Sequence, residues 1–202
     1  TSRGVTKIFA VTEKAKVEGS RGTVASELAY PSVAAELVEK IKAKVLRAVK
    51  ALDYKDGPTH TEVILTNHGR VGLVEMAGRG GGFGVFSKLV LLASGVDIGD
   101  LLIRQVMGEV IELDKIKIQK NIFSLKFFPT TKKGKISQVK GLEEVRGMPN
   151  VEVGSYVSIG QEVENTFVDG SRLGYMLVKA NTLNEVRQLV REIENRVSFE
   201  IV

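Results

Sequence analysis

Cysteine is absent from the 202 residues, and so is tryptophan. Without thiols there are no disulfides and no thiolate metal sites, and a reducing cytoplasm suits the chain. Histidine occurs only as His60 and His68, too few for a multi-histidine zinc site. Aromatics make up 6% of the chain, which removes the stacking platforms that single-stranded nucleic acids need. No apolar run approaches the roughly 20 residues of a membrane helix, so no membrane association is expected. A signal-peptide pattern, fixed-period repeats and low-complexity tracts are lacking too.

What remains is an ordinary globular composition, 43% apolar and 26% charged, in a chain long enough to bury a core as one domain or two small ones. The net charge of +5 comes from scattered Lys and Arg with local clusters such as Lys132-Lys133-Gly134-Lys135. A basic balance attracts phosphates and nucleic acid in principle. A solvated loop is the simpler account of the cluster, and nucleic-acid binding is not expected.

Hydrophobic period supplies the elements. "GVTKIFAVTEKAKV" (4–17) is rich in Val, Ile and Thr and predicts a strand, whereas 18–32 has loop composition. Val33, Leu37, Ile41, Val45, Ala48 and Leu52 recur at helical spacing, with Ser32 as the expected N-cap. Residues 85–95 predict a helix closed by Gly95, and 96–109 a second one. Residues 121–141 change to strand, turn, strand. A short helix and further strands follow. "TLNEVRQLVREIENRV" is a helix opened by the capping box Thr182-x-x-Glu185, and "SFEIV" closes as a strand. A domain division is expected near 110–120, giving bodies at 1–115 and 116–202.

One stretch carries the chemistry: "HTEVILTNHGRVGLVEMAGRGGG". "TEVILT" and "RVGLVEM" flank "NHG" and predict a β-hairpin over 61–76. With the turn on Asn67-His68-Gly69, facing residue numbers sum to about 136 or 137, which sets Glu62 near Glu75. Facing carboxylates repel unless something positive lies between them, and a divalent metal would do this. The alternatives are that the two point to opposite faces, or that Glu62 pairs with a lysine. Arg79 and the glycines Gly80, Gly81 and Gly82 follow. In isolation the glycine run is a turn that needs positive φ, since it lacks the Lys-Ser/Thr of a Walker A loop and the spacing of Gly-x-Gly-x-x-Gly. Taken together, two carboxylates, an arginine and exposed backbone N–H groups suit Mg²⁺ and nucleotide phosphates. His60, two residues before Glu62, either contacts substrate or is a hydrogen-bonded residue at a strand start. His68 sits in the turn. Lys14 either reaches substrate or is a solvated strand-end lysine. Ser87 and Ser124 have no His–Asp partners nearby in sequence, so a hydrolase triad has no support.

The hairpin, the "VEMAGRGGG" loop and the "GVD" at 95–97 resemble the carboxy-terminal half of an ATP-grasp enzyme. "IFAVTEK", "AYPS", "FFPTTKKGKI" (127–136) and the tail "GYMLVKANTLNEVRQLVREIENRVSFEI" are similar to further segments of that superfamily, with the amino-acid-ligase branch closest. The superfamily also includes biotin carboxylase and the carbamoyl-phosphate synthetase large chain. The resemblance implies an α+β fold: the carboxy-terminal lobe of an ATP-grasp domain, an antiparallel sheet flanked by helices, followed by a small α+β domain. It implies ATP and Mg²⁺ as cofactors, Glu62 and Glu75 as metal ligands, Arg79 as the catalytic arginine and Gly80, Gly81 and Gly82 as the nucleotide-contacting backbone. The implied reaction is a ligase's, in which a carboxylate is phosphorylated by ATP and the acyl phosphate is joined to an amine.

Two departures qualify this expectation. Ala77 stands where the superfamily usually has an asparagine ligand. The superfamily's amino-terminal lobe, with its phosphate-holding lysines, has no counterpart here, so the chain is expected to be a fragment that needs that lobe as partner and is inactive alone. A non-catalytic subunit or interaction module of the same fold is the alternative. Exposed strand ends would invite homo-oligomer formation.

Overall fold

The computed structural model describes all residues, Thr1–Val202. Along the chain come β1 (Glu13–Lys16), β2 (Ala25–Ala29), α1 (Ala35–Ala51), β3 (His60–Leu65) and β4 (Val71–Ala77). A π-helical turn, Val85–Leu89, runs into α2 (Val90–Ser94), and α3 (Ile98–Val106) follows. Then come β5 (Ile122–Phe128), β6 (Gly134–Lys140), α4 (Leu142–Arg146), β7 (Val151–Ser155), β8 (Glu162–Val163), β9 (Gly174–Ala180), α5 (Leu183–Arg196) and β10 (Ser198–Ile201). The α+β class is as expected. No helix is long and apolar enough to cross a membrane.

The chain forms two compact units. The first comprises Thr1–Val11 and Pro31–Lys120, the second Thr12–Tyr30 and Asn121–Val202. A single cut near residue 115 leaves β1 and β2 on the wrong side of it. Their backbone bonds tie them to β5: β1 pairs with β2, and β2 with β5 through Glu27↔Lys126, Leu28↔Leu125 and Ala29↔Ser124.

In the second unit, β1-β2-β5-β9-β7 make an antiparallel five-stranded sheet and β10-β6-β8 a three-stranded one. β5 and β6, adjacent in sequence, therefore belong to different sheets. Met176 and Val178 on β9 and Val153 on β7 pack with Val186, Val190 and Ile193 of α5 and Val145 of α4 in one apolar core. The α5 start matches its sequence: the Thr182 side chain accepts from the Glu185 N–H, and the Glu185 carboxylate accepts from the Thr182 N–H.

Three expectations are corrected. Strand structure in 4–17 is confined to β1, apart from an isolated bridge between Ser2 and Val5, because the chain passes from one unit to the other after Val11. Residues 25–29 are a strand and not a loop. "ASELA" has weak strand propensity, but β2 lies between two partners and both its edges are hydrogen-bonded. α1 starts at Ala35 with Ala34 as N-cap and no side-chain cap, so Ser32 lies outside it. Its deepest residue is Val49, while Leu52, past the last turn, is 64% exposed.

In the first unit, β3 and β4 form a two-stranded hairpin, and α1 packs on β4. Gly95 closes α2 in the left-handed conformation at φ 71°, as its position at the helix end requires. Asp97 caps α3 by accepting from the N–H groups of Gly99 and Asp100.

Candidate functional site

The hairpin turn is where its sequence puts it. Thr66 N–H donates to the Arg70 carbonyl at 2.9 Å, Gly69 N–H donates to the Thr66 carbonyl, and Gly69 has φ 68°. From the turn outward, Leu65↔Val71, Ile64↔Gly72 and Val63↔Leu73 share one register. The register then shifts between Glu62 and Val63, and Glu62↔Glu75, Thr61↔Met76 and His60↔Ala77 follow. Val74 is the extra residue of this β-bulge, and its side chain is exposed. Directly facing residues of an antiparallel pair project to one side. Glu62 and Glu75 therefore share a face, together with His60 and Ala77. Without the bulge the turn's register would set Glu62 against Val74 and turn Glu75 to the other face.

The glycine loop leaves β4 at Gly78. The Tyr54 hydroxyl pins this exit, lying 3.2 Å from the Pro58 carbonyl oxygen and 3.4 Å from that of Gly78. Arg79 is exposed, and its Nη1 donates to the Gly80 carbonyl at 2.9 Å. The glycines are required for unequal reasons. At Gly80 a Cβ would run into the Phe86 ring. At Gly81 it would come within 2.9 Å of both His60 Nδ1 and Val85 Cγ1. At Gly82 it would meet nothing within 4 Å. Positive φ falls not on these three but on Phe83 (49°) and Gly84 (78°), where the loop bends into the π-helical turn. The carbonyls of Gly81 and Gly82 accept from Phe86 and Val85, whereas the N–H groups of Gly80, Gly81 and Gly82 take no partner within the chain.

All six expected site residues thus lie in the first unit, on adjoining parts of one hairpin and its loop. His60 Nε2 stands 4.0 Å from Glu62 Oε1. No three His, Asp or Glu side chains converge as a metal cage. A cation on this face would be held by two carboxylates and would complete its shell with water or phosphate oxygens. Mg²⁺ takes that arrangement readily, since it retains waters and is commonly bound through one or two carboxylates. The donor set fits Mg²⁺ in that mode only. Sequence reasoning passed over Tyr54, whose ring lies close over Gly78, and Phe86, whose ring excludes a Cβ at Gly80. Tyr54 is remote from the loop in sequence, and Phe86, although it follows the loop directly, belongs to no local pattern that marks the contact.

Residues 126–202 match the family described as L-amino acid ligase C-terminal domain 2. No curated protein matches the chain. Among solved structures, L-amino acid ligase from Bacillus licheniformis superposes with a TM-score of 0.88 at 21% identity, covering 100% of this chain and 50% of that one. Phosphoribosylglycinamide synthetase from Anaerococcus prevotii follows with 0.77 at 18% identity, over 95% of this chain and 48% of that one. Biotin carboxylase from Campylobacter jejuni gives 0.68 at 16% identity, over 88% and 40%. The chain spans about half the length of the structures it resembles. Its fold is that of the carboxy-terminal part of an ATP-grasp enzyme, and from residue 126 onward it matches the carboxy-terminal domain of an L-amino acid ligase.

Proposed function

We propose that this chain is the Mg²⁺- and phosphate-binding part of an ATP-dependent carboxylate–amine ligase. The observation that carries the reading is the shared face of Glu62 and Glu75, next to a loop in which the N–H groups of Gly80, Gly81 and Gly82 take no partner within the chain. In this reading the substrate carboxylate oxygen attacks the γ-phosphorus of ATP, and ADP leaves. The amine nitrogen then attacks the acyl carbon of the acyl phosphate, phosphate leaves with the C–O bond electrons, and the nitrogen loses a proton.

Bound Mg²⁺ would neutralise phosphate charge. This chain's residues would hold that cation and meet the phosphoryl group. Glu62 and Glu75 give two hard oxygen donors on one face. Arg79, at the edge of the same loop, offers a guanidinium to the transferring phosphoryl group or the acyl phosphate. The N–H groups of Gly80–Gly82 offer dipoles to the same anion, and at Gly82 the open side lets a ligand approach the backbone. Positioning and charge neutralisation dominate phosphoryl transfer, so such a set is the kind of machinery it needs.

The test is amino-acid-dependent ADP release in a polypeptide that joins this chain to an amino-terminal ATP-grasp lobe. Glu75→Gln and Arg79→Ala are each expected to lower the rate by about a hundredfold or more. Full activity in Glu75→Gln would remove the cation assignment. Ala77, which leaves the third ligand position without a polar group, favours a second reading: a non-catalytic subunit or interaction module. That reading predicts no ADP release with any amino acid.

A further inference from the structure

The imidazole of His60 sits between two parts of the proposed site that are far apart in sequence. On one side Nε2 is 4.0 Å from Glu62 Oε1, beside that carboxylate but beyond hydrogen-bond distance. On the other side the Nδ1 edge fills the space over the Gly81 α-carbon, where a Cβ would come within 2.9 Å. Its cross-strand partner is Ala77, a side chain too short to compete for that space. The side chain is 31% exposed, so it is neither a core histidine nor a free surface one.

We propose that His60 is a positioning residue. It is the polar spacer that sets the distance from the glycine loop to the Glu62–Glu75 carboxylates and orients Glu62. The idea rests on the ligase reading for the purpose of the spacer, but the contact itself does not depend on it. Ala77 and His60 then belong together: the small residue at 77 makes room for the imidazole, which supplies the polar group on this face that Ala77 lacks.

The test uses the 202-residue chain, with Mn²⁺ as the probe, read from the signal of free Mn²⁺ by electron paramagnetic resonance. Polar neighbours of metal ligands commonly matter by about 10–100-fold in affinity. His60→Ala is expected to weaken Mn²⁺ binding about tenfold, within that range. His60→Leu fills the space without a polar atom and should be equally weak. His60→Gln should recover most of the affinity. Rescue by Gln but not by Leu is not what a merely space-filling role predicts. Equal behaviour of Gln and Leu would overturn the proposal, as would unchanged affinity in His60→Ala when Glu75→Gln has lost it.

A second measurement needs no cation. Gly81→Ala clashes with His60 and Val85, so its destabilisation in urea should shrink when His60→Ala is already present. Additive effects would overturn the spacer role. Loss of coupling here and loss of Mn²⁺ dependence on Glu75 are separate failures: the first removes this inference, the second the ligase reading.

Discussion

Glu62 and Glu75 face each other across β3 and β4 because one residue, Val74, is extra on the second strand. Two like charges at directly opposing positions destabilise a sheet pair by roughly 0.2–1 kcal/mol. A cation bound between them reverses the sign. In chelator, Glu75→Gln is therefore expected to stabilise the chain by about 0.5 kcal/mol. Millimolar Mg²⁺ should raise the melting temperature of the unaltered chain and leave that of Glu75→Gln where it is. Thermal melts of both proteins in both buffers check this, and a parallel response to Mg²⁺ would count against the site.

The three glycines of the loop should separate under substitution. Gly80→Ala forces the Cβ into the Phe86 ring, and overpacking of this kind costs about 1–3 kcal/mol. Gly82→Ala enters open space at ordinary φ and should cost no more than about 0.5 kcal/mol. Urea denaturation measures both. The Gly82 variant, stably folded, then reports whether ligand approach to that backbone matters.

On the other face of the hairpin, the Thr61 hydroxyl is buried without a hydrogen-bond partner. A buried, unsatisfied oxygen costs free energy that a methyl group of similar size does not. Thr61→Val is expected to stabilise the chain by about 1 kcal/mol. An unfolding curve shifted to lower urea would show that the hydroxyl is satisfied in solution.

In the second unit, Arg172 is 3% exposed and holds β2 in place. Its Nε and Nη2 both donate to the Ala25 carbonyl, at 3.2 and 2.8 Å, and Nη2 also donates to Asp169 Oδ1 at 2.6 Å. The guanidinium lies over the Phe127 ring, 3.8 Å from its centroid. Burial lowers its pKa from the ordinary arginine value, and the Asp169 carboxylate opposes that. Arg172→Met leaves a buried carbonyl unsatisfied and should cost about 2–3 kcal/mol. Arg172→Lys should recover little, because one ammonium cannot fork to both acceptors while lying flat on a ring. Calorimetry on the two variants tests the claim, and a fully stable Lys variant would contradict it.

Much of the hairpin and its loop could be read from the residues themselves. Asn67-His68-Gly69 demands a tight turn, the flanking segments alternate as strands, and counting outward from the turn brings Glu62 near Glu75. The capping box at Thr182 and Glu185 and the stop at Gly95 are equally local. Each is satisfied by atoms within a few residues, so composition and spacing suffice to find them.

Other features depended on partners remote in the chain. Counting from the turn allowed pair sums of 136 or 137, and a change of one reverses the face on which Glu75 lies. The bulge at Val74 chose between them. β2 is a strand because β1 and β5 flank it, with the Ser124 hydroxyl donating to Glu27 at 2.6 Å, although "ASELA" has little strand propensity of its own. Gly81 is crowded by the imidazole of His60, from the preceding strand, as well as by the nearby Val85. The sequence by itself determined which residues could form the site. Only the tertiary structure decided which face they share and what crowds them, because strand register and packing are set by contacts between segments that the order of residues does not place side by side.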